Sequence, residues 1–535
     1  MSERSRPKLA GLRHFDQNLG GLSHSVGHDA WFLVKTSEVC VSSNELISTQ
    51  CLPSSILNRH TGDRRTEAGC SPRAKFYRVV SRAFSVWDEF ELNHRLDYWQ
   101  DVLVASSALS PETWPFSLDW LPPSACLVGG TVRDALLDRP SDYLDLDFVL
   151  PTGAVETAQA IARHYRAGFV LLDADRQIAR VVFEQGTADF AQQVGSSLDA
   201  DLRRRDFTVN AIAYNPHTAQ LLDPLQGHAD LKRGLLRMVC AENLAEDPLR
   251  LLRAYRQAAQ LGFSLEPETQ RVIRRLAPKL RQIAAERVQS ELNYLLSSDR
   301  GTAWLTAAWQ DGLLQDWFPS TNAQSLTRLL GIDQTTVIFQ ETWAEFATEL
   351  FRNIRGGSQF DSSQPEPKAS GSARTWLMIA KLASLLDSDP QLAEAQLWRL
   401  KYSRAEIQAV STALRGLPRL CAKPLLEWTL AEQYFFFKEL GATFPALAIL
   451  AIAAGTPLEA MTALITRFLD TDDPVAHPIP LLTGQDLMTA LTLSAGPLIG
   501  KLLAALQLAR AEGKVTNRKD ALVLAADLLK QKATE

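Results

Sequence analysis

The chain has 535 residues, of which 46% are apolar, so it is long enough to form several domains with sizeable cores. Its formal net charge of −5 argues against a surface that is basic throughout, although a local basic stripe would still bind nucleic acid. No run of about 18 apolar residues predicts a membrane span, and the charged N-terminus does not look like a secretory signal. We therefore predict a cytoplasmic protein without a membrane partner. The six cysteines form no CxxC pair, which argues against a zinc site.

Residues 1–92 differ in composition from the rest of the chain. They are rich in Ser, Arg, Gly, His and Asn, and their apolar patches are too short to build a core. We predict that this segment is a disordered extension, which the folded protein does not need.

From about residue 93 the sequence becomes typical of a small mixed sheet with helices. Apolar or alternating runs predict strands, and a period of about 3.6 residues predicts helices. The predicted strands are 126–129, 145–150, 168–173 and 179–184. The predicted helices are one opened by Thr131 and one over 154–165. We assign residues 93–215 to this head.

After about residue 216 the strand signals fade and helical spacing takes over. Segments rich in Arg and Lys predict helices over 245–260, 266–279 and 283–297. We assign 216–300 to a helical neck and 301–535 to a helical body and tail. Residues 356–372, rich in Pro, Gly and Ser, predict a polar linker within the body. The predicted fold class is therefore α+β, with a small mixed sheet followed by helices.

The first motif is a glycine pair, Gly129 and Gly130, between a predicted strand and a predicted helix. Glycine lets the backbone approach a phosphate closely, and the first turn of the helix offers free N–H groups to it. Arg133 lies in that turn and adds a positive charge. A glycine pair alone is usually an ordinary turn, so the case for phosphate binding depends on the residues of the next strand.

Two carboxylates, Asp145 and Asp147, lie on that strand. Residues two apart on a strand project to the same face, so both side chains point the same way while Leu146 enters the core. Adjacent carboxylates repel each other unless a cation lies between them, and Mg²⁺ is the natural choice when a triphosphate supplies further oxygens. An isolated DxD is usually a solvated strand edge, but its combination with the glycine turn favours phosphoryl chemistry.

The second motif begins with three arginines that lead directly into an apolar segment. Arg204 and Arg205 can meet a triphosphate with forked donors. Asp206 and Asn210 can hydrogen-bond ribose hydroxyls. The alternative is that the arginines form only a solvated basic face.

The third motif consists of Glu246, Asp247, Arg250 and Arg253. Asp247 and Arg250 are three apart, so they would be neighbours on one face of a helix. Cytosine and adenine both present an amino donor beside a ring-nitrogen acceptor, whereas uracil and guanine reverse the order. A carboxylate beside a guanidinium would therefore take C and A and reject U and G, with about 1–3 kcal/mol of discrimination per bidentate contact. The alternative is a plain helix start, with Asp247 as N-cap and Pro248 in the first turn.

Together the three motifs resemble the bacterial branch of the tRNA nucleotidyltransferase and poly(A) polymerase family, within the polymerase-β-type nucleotidyltransferases. GGTVRDALL with DLD is similar to the family's phosphate and metal motif, RRDFTVNAIA to its ribose motif and EDPLRLLRA to its base-reading motif. Residues 223–237 resemble the hinge between head and neck, 286–292 the last neck motif, and 481–503 a tail segment of the tRNA-type members. The resemblance is firm over about 93–300 and looser in the tail.

The resemblance implies an enzyme with a head, neck, body and tail that adds nucleotides to the 3′ end of tRNA without a template. It implies Mg²⁺ as cofactor, CTP and ATP as substrates, and tRNA as partner. It implies metal binding by Asp145 and Asp147, with Asp189 as a third catalytic acid on a nearby strand, where many members have glutamate. It also implies base selection by the first three residues of the third motif.

Only 14 residues separate Asp189 from Arg204. Family members that complete the whole CCA end usually carry a longer flexible loop there, which helps the pocket change from C to A. The short segment favours a member that adds only the two cytidines. The alternatives are a full CCA-adding enzyme, a poly(A) polymerase of the same fold and a non-catalytic RNA-binding protein. The tail segment disfavours the poly(A) polymerase, and the intact Asp145 and Asp147 disfavour the non-catalytic protein.

Overall fold

A computed structural model of the chain describes residues 108–139, 143–354 and 374–534. The predicted extension (1–92) and the predicted linker (356–372) lie outside the described residues, and both remain predictions. The described part is a mixed sheet followed by helices, which confirms the predicted α+β fold class.

The head is built on one seven-stranded sheet. Its strands are β1 (Cys126–Val128), β2 (Leu144–Leu150), β3 (Gly168–Asp173), β4 (Ile178–Val182), β5 (Gly186–Gln192), β6 (Ala213–Asn215) and β7 (Gln220–Leu222). The strand order is β3-β4-β5-β2-β1-β6-β7. β2 and β5 run parallel, and the other neighbours run antiparallel. β7 extends the sheet beyond the boundary predicted at residue 215, because it forms a hairpin with β6.

Short helices connect these strands. They are α1 (Gly130–Leu136), α2 (Ala154–Tyr165), α3 (Leu198–Arg203) and a 3₁₀ turn at Thr208–Asn210. β1 ends one residue earlier than predicted because Gly129 has φ +76°, a left-handed conformation that favours glycine. In β2 the apolar residues Leu146 and Phe148 share the head core with Ile161 of α2. The acidic residues of β2 alternate with them and therefore lie on the other face.

The neck is helical, with one small parallel pair of strands. Its elements are α4 (Gly227–Arg233), β8 (Leu235–Leu236), α5 (Ala241–Glu246), α6 (Leu249–Leu261), β9 (Ser264–Leu265), α7 (Pro267–Leu276), a 3₁₀ helix at Ala277–Gln282 and α8 (Ala285–Ser297). The helix predicted over 245–260 is two helices in the structure. Asp247 is extended, with φ −123° and ψ 92°, and Pro248 has no N–H to continue a helical ladder, so the chain turns between α5 and α6.

The body and tail contain the remaining helices. These are α9 (Gly301–Gln310), α10 (Ala323–Thr342), α11 (Ala344–Phe351), α12 (Trp376–Leu385), α13 (Pro390–Arg399), α14 (Arg404–Ala422), α15 (Leu430–Leu440), α16 (Phe444–Ala453), α17 (Leu458–Leu469), α18 (Gly484–Leu491), α19 (Pro497–Ala511) and α20 (Arg518–Thr534). α10, α12 and α14 all pack against α16, which is buried from Phe444 to Ala451. α18, α19 and α20 share a separate apolar cluster that includes Leu487, Leu502 and Ala521.

One segment of the described residues, Leu430–Ala453, is long and apolar enough to cross a membrane by length and composition alone. However, 67% of its apolar window is buried inside the protein, and core helices pass the same test. A 3₁₀ turn at Gly441–Thr443 also interrupts it. The segment is therefore part of the apolar core of the body.

Candidate active site

The two acidic residues of β2 lie at the centre of the sheet. Leu146 between them is fully buried, whereas Asp145 is exposed and Asp147 is half-buried. The Thr187 hydroxyl of β5 donates to Asp145 Oδ1 at 2.7 Å. Asp147 is the register partner of Asp189 on β5, so the parallel pairing brings the third predicted acid beside the first two. The structure thus gathers Asp145, Asp147 and Asp189 at one place on the sheet.

This arrangement makes Asp147 difficult to ionise. Burial, together with repulsion from the neighbouring Asp145 and Asp189, raises the pKa of its carboxyl group to about 7. The guanidinium groups of Arg205 and Arg180 act in the opposite direction but do not cancel the effect. A cation bound beside Asp147 would offset both the cost of burying its charge and the repulsion from the other two carboxylates.

Asp189 is engaged by a partner that the sequence did not reveal. The Arg180 guanidinium on β4 donates to both of its oxygens, at 2.6 and 2.8 Å. Within the described ranges, no group of three or more His, Cys, Asp or Glu side chains is placed to hold a metal ion. Asp189 is thus engaged by Arg180, and metal binding by Asp145 and Asp147 remains a prediction.

The glycine pair lies directly against these charged groups. A Cβ atom at Gly129 would lie 3.3 Å from Asp147 Oδ2 and 3.4 Å from a terminal nitrogen of Arg205. A Cβ atom at Gly130 would lie 3.5 Å from a terminal nitrogen of Arg133. Glycine is therefore favoured at position 129, where φ is positive and a side chain would crowd Asp147, whereas an added Cβ atom at Gly130 would make only an ordinary contact.

The three arginines of the second motif divide into two groups. Arg203 pairs with Asp199 at the surface, so it belongs to a solvated face. Arg204 and Arg205 both pair with the buried Asp201, at 3.1 and 3.3 Å. Asp201 therefore fixes the two arginines that are predicted to meet the triphosphate.

Asp206 and Asn210 are buried and take their hydrogen bonds from the protein. Asn210 donates to Asp206 at 2.9 Å and accepts from Arg133 at 2.7 Å, while Arg253 pairs with Asp206 at 3.2 Å. Burial disfavours the charge on Asp206, but Arg253, Asn210 and the Phe207 amide together hold the pKa of its carboxyl below the usual value. In this structure the two residues organise the arginines around them, and their predicted contacts with a ribose remain predictions.

The third motif is arranged differently from the helical face predicted for it. Asp247 precedes α6, where its carboxylate pairs with Arg287 of α8 at 2.9 Å and accepts from the Leu249 amide at 3.2 Å. Arg250 donates to the backbone carbonyls of Arg204 and Asn243, both at 3.0 Å. Each side chain of the predicted base-reading pair is therefore held by its own partners.

Glu246, the third predicted base-reading residue, ends α5 and is exposed. The Leu249 amide of α6 donates to Asp247, so Asp247 helps to begin the helix, although Pro248 and not Asp247 is the N-cap residue. The base-reading and helix-capping interpretations of Asp247 are therefore compatible.

Comparison with known proteins decides the family. The family models of the poly(A) polymerase head domain, of the RNA and SrmB-binding site of polymerase A, and of tRNA nucleotidyltransferase domain 2 match residues 125–237, 262–325 and 371–526. A CC-adding tRNA nucleotidyltransferase of Synechocystis sp. is 50% identical over 77% of this chain and 96% of that protein. The chain belongs to the tRNA nucleotidyltransferase and poly(A) polymerase family.

A further curated relative and a solved structure are also similar to this chain. An A-adding tRNA nucleotidyltransferase of Deinococcus radiodurans is 31% identical over 75% of this chain and 94% of that protein. The structure of a Thermotoga maritima CCA-adding enzyme complexed with tRNA matches with a TM-score of 0.56 and 21% identity, over 76% of this chain and 91% of that chain. These matches confirm the predicted family, fold and enzyme class, which is nucleotidyltransferase.

Several residues around the nucleotidyltransferase site were not singled out from the sequence. Arg180, Asp201 and Gln257 each bond a predicted site residue, and Arg287 pairs with Asp247. Two of them had a local signal: Arg287 lies in the neck segment 286–292 that resembles a family motif, and Asp201 precedes the last two of the three arginines at helical spacing. Asp201 pairs with arginines three and four residues further on and Arg180 reaches the neighbouring strand, whereas Gln257 meets Asn210 from 47 residues away.

A close contact joins the hinge segment to the second motif. A Cβ atom at Gly227 would lie 2.1 Å from the Thr208 carbonyl oxygen, so the backbones of α4 and the 3₁₀ turn touch. The Thr208 hydroxyl donates to the buried Asp230 at 2.6 Å, and Arg237 donates to the same carboxylate oxygen at 2.8 Å. The hinge thus supports the turn that carries Asn210.

We expect Gly227→Ala to destabilise the enzyme by about 2–3 kcal/mol, because the backbone atoms that the new methyl group meets cannot move aside without a shift of the turn. Gly500→Ala in α19 is the matched control, since its Cβ atom would meet nothing within 4 Å. It should stabilise the helix by up to about 1 kcal/mol. Urea unfolding of both variants measures the difference, and equal stability would show that the contact can relax.

Proposed function

We propose that this enzyme adds the two cytidines of the tRNA 3′ end and then stops. The observation that carries the proposal is that the segment between Asp189 and Arg204 is short and is held by hydrogen bonds. β5 takes residues 190–192 of it and α3 takes 198–203, which leaves only 193–197. The Gln193 amide bonds Leu150 O at 2.7 Å and the Val194 amide bonds Asp201 at 3.0 Å, so part of this remainder is also fixed.

A fixed segment matters because cytosine and adenine differ in size. The amino group of adenine lies further from the sugar, so a pocket that takes first C and then A has to change shape. A flexible loop beside the pocket can accommodate that change, and five residues bonded at two amides leave little freedom for it. The 50% identical relative of Synechocystis sp. carries the name CC-adding, which agrees with the proposal.

We assign a role to each part of the site. Asp145 and Asp147 would hold Mg²⁺, and the raised pKa of Asp147 supports this assignment because a divalent cation would offset the burial of its charge and the repulsion that together raise it. When bound, Mg²⁺ supplies positive charge that stabilises the negative charge of phosphoryl transfer. The Gly129-Gly130 turn and Arg133 receive the triphosphate. Arg204 and Arg205, both fixed by Asp201, add positive charge there.

The remaining groups select the base and hold the tRNA. Asp247 accepts from the amino group of cytosine and Arg250 donates to its ring nitrogen, so both must exchange their present partners for the base. The helical body and tail bind the tRNA. We place the reaction in the cytoplasm, where the substrates CTP and tRNA are found.

Addition of CTP and ATP to a tRNA that lacks its last three nucleotides should give a product longer by two, and the reaction should then stall. A tRNA that already ends in CC should accept ATP poorly. The kcat/KM for ATP on this substrate should be at least about 100-fold lower than the kcat/KM for CTP in the first addition. Denaturing gels of the products measure both results. Offering ATP alone to unrelated RNA tests the poly(A) polymerase alternative, and we expect no extension.

Three outcomes would contradict the proposal in different ways. Efficient addition of A to the CC-ended tRNA would show a full CCA-adding enzyme. Addition of A to that substrate without addition of C to the shorter one would show an A-adding enzyme, as in the Deinococcus radiodurans relative. No addition to any RNA, with tRNA binding retained, would show a non-catalytic RNA-binding protein.

A further inference from the structure

A buried glutamine links the neck to the head at the candidate active site. Gln257 lies on α6, four residues after Arg253 and seven after Arg250, so the three side chains share one face of the helix. It is 2% exposed, and its Oε1 accepts from Asn210 Nδ2 at 2.9 Å. Nothing in the sequence distinguished this residue from an ordinary core position.

The neighbours of Asn210 fix the orientation of this hydrogen bond. Arg133 can only donate, so the Asn210 oxygen must face it, at 2.7 Å. Asp206 is held in its charged form by its neighbours and accepts from Asn210 Nδ2 at 2.9 Å. The second Nδ2 proton then has to meet an acceptor, and Gln257 Oε1 provides it. Gln257 is therefore the third hydrogen-bond partner, and the three partners together hold the Asn210 amide in one orientation.

Asn210 in turn holds Arg133 over the glycine turn. The Arg133 guanidinium donates to Asn210 through one terminal nitrogen and to both oxygens of Asp134 through Nε and the other terminal nitrogen. These contacts use three of its five N–H groups. The remaining two lie on the terminal nitrogens, one of which would lie 3.5 Å from a Cβ atom at Gly130. A phosphate in the turn would therefore meet a guanidinium whose orientation is already fixed.

We infer that Gln257 is a positioning residue for triphosphate binding. From its place in the neck it orients Asn210, and Asn210 in turn orients Arg133. The inference rests on the proposed function, because it assumes that Arg133 binds the triphosphate. Gln257 touches none of the predicted triphosphate ligands itself. Arg253 keeps a separate contact between α6 and Asp206, at 3.2 Å, so loss of the glutamine leaves the head and neck connected.

The test is Gln257→Met, which keeps an unbranched side chain of similar size and removes the acceptor. Gln260→Met is the matched control, because Gln260 lies on the same helix, is exposed and bonds only Arg256 among the contacts described for it. The KM for CTP and the inhibition constant of pyrophosphate should both rise about three- to tenfold in Gln257→Met, as expected for the loss of one hydrogen bond. The KM for tRNA and the melting temperature should change little.

The Asn210→Ala background distinguishes positioning from a general structural role. If Gln257 acts through Asn210, then Gln257→Met should add almost nothing in that background. Additive effects, unchanged constants for CTP and pyrophosphate, or an equal rise in the KM for tRNA would each overturn the inference. A wild-type enzyme that adds no nucleotide and is not stabilised by CTP would instead refute the proposed function.

Discussion

Asp147→Asn should abolish nucleotide addition and, at pH 8, raise the melting temperature of the metal-free enzyme. The loss of activity follows from the loss of a metal ligand, since a bound metal ion contributes several kcal/mol to phosphoryl transfer. We therefore expect a drop in kcat of at least about a thousandfold, at about 1.4 kcal/mol for each factor of ten. The gain in stability follows from the removal of a charge that the folded protein disfavours.

The sign of the stability effect depends on pH. The pKa of Asp147 rises from 3.8 to about 7 on folding, so the folded state binds its proton more tightly than the unfolded state. The wild-type enzyme therefore loses stability from this group as the pH rises from about 4 to about 7. The asparagine side chain of the variant does not titrate, so the advantage of the variant should widen between pH 5 and pH 8 and then level off. The gain of the variant in free energy of unfolding has an upper bound of about 4 kcal/mol, since each pKa unit is equivalent to about 1.4 kcal/mol.

Thermal unfolding of both proteins at pH 5 and pH 8, with and without Mg²⁺, measures this effect. Mg²⁺ should stabilise the wild-type enzyme more than the variant, because only the wild type has both carboxylates. Glu184→Gln is the matched control, since Glu184 is an exposed carboxylate between β4 and β5. It should change neither activity nor the pH dependence. Near-normal activity in Asp147→Asn would remove Asp147 from the metal site.

Asp247→Ala should relax the choice of base far more than it weakens tRNA binding. The carboxylate that accepts from the amino group of cytosine is lost, so the preference for CTP over UTP should fall by about 10- to 100-fold, the equivalent of about 1–3 kcal/mol. The KM for tRNA should stay within about twofold, because Asp247 lies at the junction of α5 and α6 and not on the body or tail.

A second substitution separates base reading from helix capping. Asp247→Asn keeps an oxygen that can accept from the Leu249 amide, so α6 should retain its stability. Its amide nitrogen can donate to uracil, so UTP incorporation should still increase. The measurements are single-nucleotide incorporation of CTP and UTP together with the melting temperature. Full discrimination against UTP in both variants would leave Asp247 with the capping role alone.

Much of the site follows from the sequence because its signals are local. The alternation around Leu146 is enough to put Asp145 and Asp147 on one face of β2, since a strand has a period of two residues. The end of β1 at the glycine pair also follows from the sequence, although the positive φ of Gly129 ends the strand one residue earlier than predicted. The positions of the neck helices follow from their apolar periodicity in the same way, although the break at Pro248 divides one of them.

Helical spacing accounts for pairs such as Arg204 with Asp201, but only the tertiary structure decided the partners of Asp247, Asp189 and Asn210. Residue spacing predicts Asp247 beside Arg250, but Asp247 pairs with Arg287, 40 residues away, because the chain turns before α6 and packs α8 against it. Asp189 is held by Arg180 because β4 and β5 pair in that register. Asn210 meets both Arg133 and Gln257 only because the neck helix packs on the head. Spacing along a helix predicts partners three or four residues apart, but it contains no information on partners that meet only when distant segments pack together.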